Sequence, residues 1–225
     1  MGAYMQAALE AVNFIGGQQL EGRTKWRRAD DAPGSDYGLY HGSSGIILLL
    51  LELHAATGSA QALEQAIAAG EEVAAHLARV DHLSVSASNG WPGYAFAMSE
   101  LARVSGREDF RALAGTCLQR LRDQAQPLGA GIGWIEPAPF SEITGFTGER
   151  EIYDQSVGAA GAGLVMLYGD RNDLHPDALD WAVAVGERLL EVAETDPDGL
   201  RWRLMSDMPF AFTAPNFAHG GAGVA

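Results

Sequence analysis

Gly42-Ser43-Ser44-Gly45-Ile46-Ile47-Leu48-Leu49-Leu50-Leu51-Glu52-Leu53 is the stretch whose reading decides the fold. A helix that is apolar all round is one buried all round. Related segments recur at Gly93-Tyr94-Ala95-Phe96-Ala97-Met98, at Gly158-Ala159-Ala160-Gly161 with the apolar run to Tyr168, and at Gly220-Gly221-Ala222-Gly223 with Val224. Glycine in a helical turn costs about 1 kcal/mol relative to alanine. Its return at four helix openings implies a packing or site constraint there.

Between these lie longer segments with one wet face. Residues 60–79 carry Leu63, Ala66, Ile67, Gly70, Val73, Ala74 and Leu77 on one stripe. Residues 108–124 do the same with Phe110, Leu113, Ala114, Cys117, Leu118 and Leu121. Residues 176–195 do so with Leu179, Ala182, Val183, Gly186, Leu189, Leu190 and Ala193. Each has helical spacing, and residues 3–18 look similar. The glycine openings at 42, 93, 158 and 220 lie 51, 65 and 62 residues apart. A repeat of that period, built from one exposed and one buried helix, predicts an all-α fold, an alpha/alpha toroid of the six-hairpin barrel type. Buried helices are expected near Ser43, Gly93, Val157 and Gly221. Since the fourth has hardly begun at Ala225, residues 1–225 read as the amino-terminal part of a single toroid domain, about its first half. The long connections, 125–156 and 196–216, lead into the buried helices and mark the working end.

Charge narrows the partners. Fifteen basic residues face twenty-nine acidic ones, a net charge of -14. Such a field repels phosphate backbones and anionic membranes, so nucleic-acid and membrane-surface roles are set aside. The longest apolar run, Ile46 to Leu51, is six residues, against roughly 20 needed to cross a bilayer. No basic amino-terminal segment marks an export signal, and Cys117 is the single cysteine. A cytoplasmic protein without an internal disulfide is the expectation.

The segments entering the buried helices carry Tyr40-His41, Asn89-Gly90-Trp91, Tyr153-Asp154 and Asn216-Phe217-Ala218-His219. With helix amino termini gathered beside them, an anion-stabilising pocket is expected. Tyr153-Asp154-x-x-x-Gly158-x-x-Gly161, followed by Asn216-x-x-His219-Gly220-x-x-Gly223, resembles the lanthionine synthetase C-like family. Gly38-Leu39-Tyr40-His41-Gly42-x-x-Gly45 resembles that family's opening.

The resemblance implies an enzyme that adds a cysteine thiolate to dehydroalanine or dehydrobutyrine in a dehydrated precursor peptide, closing a thioether ring. Related members add glutathione, so a thiol is a second candidate substrate. It implies zinc in the complete protein, held by two cysteines and a histidine of carboxy-terminal repeats, motifs absent from this sequence. It also assigns Asp154 and His219 to proton transfer and site organisation, as an imidazole that can protonate an enolate and a carboxylate that can orient it or take the thiol proton. No role carries over to His41, which stands where the family commonly has glycine. Cys117, on an apolar stripe, reads as a small buried hydrophobe.

Other readings stay open. Asp154 also suits a helix cap, and His219 a hydrogen-bonded residue at a helix opening. Trp91 and Trp134 read as packing anchors; Glu136, Glu142, Glu149 and Glu151 read as a solvated face. His54 and His76 receive no functional role. A glycan-active barrel would draw on Asp36, Glu142, Asp154 and Asp207 as carboxylates and on Trp91, Trp134 and Trp202 as sugar platforms. A non-catalytic toroid serving as a binding module is the third reading.

Overall fold

The wet-faced segments form helices where the spacing places them: α1 Ala3–Gly17, α3 Ala60–Leu77, α5 Glu108–Asp123 and α8 Ala178–Val192. The glycine-opened segments form α2 Ser43–Thr57, α4 Trp91–Ser105, α7 Ala159–Arg171 and the short α9 Gly221–Val224. These come from a computed structural model that describes residues 3–19, 26, 37–139, 141–208 and 216–225. Among the described residues the fold is mainly helical, and the strands pair two by two as short antiparallel sheets. The chain divides into two compact units, Met1–Val80 with Ala97–Arg111, and Asp81–Phe96 with Ala112–Ala225.

In the first unit α2 packs on α3, burying Ile47, Leu50 and Leu51 with Ala66, Ala69 and Val73. A side chain at Gly70 would collide with Leu101 and press on Phe110, so the small residue sets that spacing. The short links end their helices in the left-handed conformation that glycine tolerates: Gly58 and Gly106 both have φ of 72°. Their N–H groups close on His54 (2.7 Å) and Ala102 (2.8 Å).

The second unit shows what the glycine openings do. Carbon added at Gly161 would strike the Gln155 carbonyl, and at Gly223 the Phe217 carbonyl. Gly90 meets Ser84 in the same way, as does Gly45 meet Leu39 in the first unit. In every case the obstructing carbonyl lies six residues upstream. First-turn N–H groups then donate to carbonyls seven residues upstream: Ala159 to Ile152 (2.9 Å), Ala160 to Tyr153 (3.2 Å), and Trp91 to Ser84 (3.2 Å). Ser44 does so to Tyr37 at 3.1 Å. Each glycine-opened helix is thus seated in the loop that precedes it.

That seat corrects the register of the repeat. Because α4 begins at Trp91, Gly90 is the counterpart of Gly42, Gly158 and Gly220, and all four openings read Gly-x-x-Gly. The intervals become 48, 68 and 62 residues. Pro92 makes Trp91-Pro92 resemble a loop in the sequence, yet proline is tolerated in a first helical turn.

The long connections also carry short strands. After α5 come β1 Gln126–Leu128 and β2 Gly131–Gly133; after α8 come β5 Glu194–Asp196 and β6 Gly199–Arg201. Between them β3 Ile135–Pro137 pairs with β4 Glu149–Glu151, flanking α6 Ser141–Thr144. Beyond each of the first two hairpins a buried tryptophan turns back to cap the helix before it. Trp134 Nε1 donates to the Leu121 carbonyl (3.0 Å) and Trp202 Nε1 to Leu189 (2.7 Å). Both carbonyls belong to last turns that lack helical partners. The two pairs lie 68 residues apart throughout.

Burial departs from expectation on two helices. α7, apolar on every side, leaves Leu164 and Leu167 exposed. α8 buries Ala178, Ala182, Val185 and Leu189, while Leu179, Val183 and Leu190 face outward. The apolar arc of α8 is wider than the stripe its neighbours cover. No helix among the described residues is long and apolar enough to cross a membrane.

Two glycine-to-alanine changes should separate by sign. Gly186 of α8 has open space around it, so Gly186→Ala should stabilise by about 0.4–1 kcal/mol. Gly161→Ala must push a backbone carbonyl aside and should lower the denaturant midpoint. Equilibrium unfolding of both variants checks the pair.

Candidate functional site

Asp154 sits four residues ahead of Gly158, in the seat of α7, and is fully buried. The segment leading to it is held on two sides. Tyr153 N–H donates to the Leu204 carbonyl (2.9 Å) and Ser206 N–H to the Glu151 carbonyl (2.8 Å). On the other side the Arg188 guanidinium of α8 grips both oxygens of Glu151, at 2.8 and 2.7 Å. The Tyr153 hydroxyl donates to the same carboxylate (3.2 Å). Burial, helped by the charge of Glu151, holds the Tyr153 phenol well above its ordinary range, so it stays neutral.

His219 occupies the position just before Gly220. Its Nδ1 lies 2.7 Å from Oδ2 of Asp154. Oδ1 of Asp154 accepts the N–H of Val157 at 2.7 Å. One carboxylate therefore braces the turn ahead of α7 through Oδ1 and meets His219 through Oδ2; the expected cap on α7 is not made, because its capping position is Gly158, which has no side-chain bond. Burial pushes the Asp154 carboxyl above the usual carboxylate range, opposed by the His219 and Val157 hydrogen bonds. An ionised Asp154 accepts from both donors, which puts a proton on Nδ1 of His219 and makes Nε2 the basic nitrogen. The imidazole is partly open to solvent, at 39% exposure, against 1% for the carboxylate.

The segment carrying His219 is pinned as well. Asn216 Oδ1 accepts the His219 N–H (2.7 Å). Ser156 N–H donates to the Ala218 carbonyl at 3.0 Å. The Ser156 carbonyl accepts from the hydroxyls of Ser86 and Ser88, both at 3.3 Å, and so draws the α4 opening into the same network.

Several expectations need correction. The first-turn N–H groups of α7 are spent on loop carbonyls, so they do not form the expected anion pocket. Glu136 and Glu151 are buried, not solvated. Glu136 binds the Ser84 hydroxyl (2.6 Å) and the Val85 N–H (2.5 Å), while Glu151 holds Arg188. Both partners lie dozens of residues away, and no local pattern announces them. Glu142 and Glu149 are exposed as expected.

Trp91, Trp134 and Trp202 are all buried. Trp91 gives its indole N–H to Gln124, as the other two give theirs to helix carbonyls. None is presented as a sugar platform. Asp207 pairs with Arg150 (3.6 Å), and Asp36 lies outside the described residues. Tyr40 is exposed, with its ring edge-on to His41 at 4.7 Å.

A family model described as lanthionine synthetase C-like protein matches residues 34–225. The chain belongs to that family. No curated protein matches it. The match spans all four Gly-x-x-Gly openings together with Asp154 and His219. Zinc, which the family resemblance brings, finds no group of three His, Cys, Asp or Glu side chains able to hold it among the described residues. Cys117 of this lanthionine synthetase C-like chain is wholly buried in α5, and burial pushes its thiol up to about 12.

Two outcomes follow from these environments. Cys117 should resist iodoacetamide at pH 8 in the native chain and react on denaturation, as a mass shift will show. Asp154→Asn keeps the Oδ1 bond to Val157 and removes a charge held in a desolvated seat. A raised carboxyl pKa gives stability that is full below the unfolded value and lost as pH rises through the folded one. The variant should therefore be at least as stable as the parent at neutral pH, with the difference closing below pH 4 in denaturant titrations.

Proposed function

We propose that the complete cytoplasmic protein adds a thiol to a dehydroalanine or dehydrobutyrine residue of a dehydrated peptide, with His219 moving the proton and Asp154 orienting it. The observation that carries this reading is the 2.7 Å contact between the two side chains, within a chain of the lanthionine synthetase C-like family. The proton balance needs one imidazole. Nε2 of His219 takes the proton from the thiol. The sulfur then forms a bond to Cβ, and the Cα–Cβ π pair moves onto the adjacent carbonyl as an enolate. The same imidazole returns the proton to Cα, so the thiol hydrogen ends on carbon and nothing is left over. Asp154 holds the Nδ1–H tautomer and stabilises the transient imidazolium, a task suited to a carboxylate shielded from water. Zinc has no seat among the described residues.

The test is thioether formation by the complete protein on a dehydrated peptide carrying one cysteine, followed by mass spectrometry and thiol alkylation. His219→Ala should slow ring closure by about 10²–10⁴-fold. Asp154→Asn offers an N–H to Nδ1, places the ring proton on Nε2, and should show a defect of similar order. Ring closure at the parent rate in both variants would reduce the pair to cap and scaffold.

A further inference from the structure

We infer that Asn216 is a further catalytic residue, whose side-chain amide donates through Nδ2 to the substrate carbonyl on which the enolate charge develops; this rests on the addition reaction proposed above. The reaction places a negative charge on an oxygen two bonds from the carbon that His219 protonates. Such a charge calls for a preorganised donor close to the proton carrier. Many of the surrounding donors are already committed. Ala159, Ala160 and Gly161 give their N–H groups to the carbonyls of Ile152, Tyr153 and Asp154. Val157 gives its N–H to Asp154, Ser156 to Ala218, and His219 to Asn216. The Tyr153 hydroxyl is turned to Glu151, and the hydroxyls of Ser88 and Ser156 meet at 3.2 Å.

Asn216 differs from these. It is exposed, three residues from His219, and its Oδ1 is fixed by the His219 N–H at 2.7 Å. That bond assigns the amide flip and directs Nδ2 away from the His219 backbone. The repeat gives a second line of support. Asn216 stands four residues ahead of Gly220, as Asp154 stands ahead of Gly158. Both use one side-chain oxygen to accept the N–H three residues on. In Asp154 the second atom of the fork meets the chemistry, as Oδ2 on His219. The equivalent second atom of Asn216 is an amide donor, the right polarity for an oxyanion.

Turn-bracing and donor roles rank substitutions in different orders, which makes the test decisive. Asparagine and aspartate brace such a turn alike and serine more weakly, so Asn216→Asp should unfold at the parent's denaturant midpoint and Asn216→Ser at or slightly below it. As donors they rank asparagine first, serine second and aspartate last. With the complete protein and a dehydrated one-cysteine peptide, Asn216→Asp should lose about 10²-fold in kcat and Asn216→Ser less. Equal rates in all three, or Asn216→Asp at the parent rate, overturn the assignment. A second measurement separates this from failure of the underlying reading. The Asn216 side-chain amide resonances are followed while N-acetyl-dehydroalanine N-methylamide is added. If the parent closes no rings, the addition reaction falls. Movement of those resonances then still supports a contact with a peptide carbonyl, and stationary resonances overturn it.

Discussion

Everything in the second unit hangs on a carbonyl pressed against a bare Cα. At Gly90, Gly158, Gly161 and Gly223 the carbonyl six residues upstream occupies the place where a side chain would begin. The contact is possible only without Cβ, and it lets the preceding loop supply acceptors to the opening turn of the helix. Helices normally leave their first N–H groups without partners. Here the loop satisfies them, and in return the helix fixes the loop. Gly161 and Gly223, inside their helices, accept a propensity penalty of about 1 kcal/mol each for a loop seated this closely; Gly90 and Gly158 stand ahead of theirs.

That rigid loop is what gives Asp154 and His219 their geometry. Neither is on a helix; each stands in the seat of one, at a fixed distance ahead of a glycine. The Glu151–Arg188 pair and the buried tryptophans act one layer further out, tying the same loops to α8 and to the ends of α5 and α8. Desolvation offsets most of the attraction in a buried ion pair, so this one is a weak source of stability. Its effect is to fix which part of α8 lies against the segment ahead of Asp154.

Much of this was legible in the sequence, for identifiable reasons. Helical periodicity located α3, α5 and α8 within a few residues, and Gly-x-x-Gly located α2, α7 and α9. The Asp154 and His219 pairing could be expected because both sit at equivalent openings of consecutive repeats. Other features had no local signature. Glu136 and Glu151 look like surface acids because their partners lie far along the chain. The hairpins left a trace that a comparison at 68 residues would have found: Gly131-Ile132-Gly133-Trp134 against Gly199-Leu200-Arg201-Trp202. The α4 opening lies two residues ahead of the expected Gly93, because Pro92 fits the first helical turn and Gly90 takes the place of the leading glycine.

The pair itself is split across two repeats, the carboxylate in one opening and the imidazole in the next. No single repeat of this chain contains the arrangement. Four places ahead of the glycine stand Asp154 in one opening and Asn216 in the next, and directly before it stand Val157 and then His219. The contact therefore crosses a boundary between repeats. A break in the chain between the two openings would part the carboxylate from the imidazole, while each opening kept its own side-chain brace on the backbone.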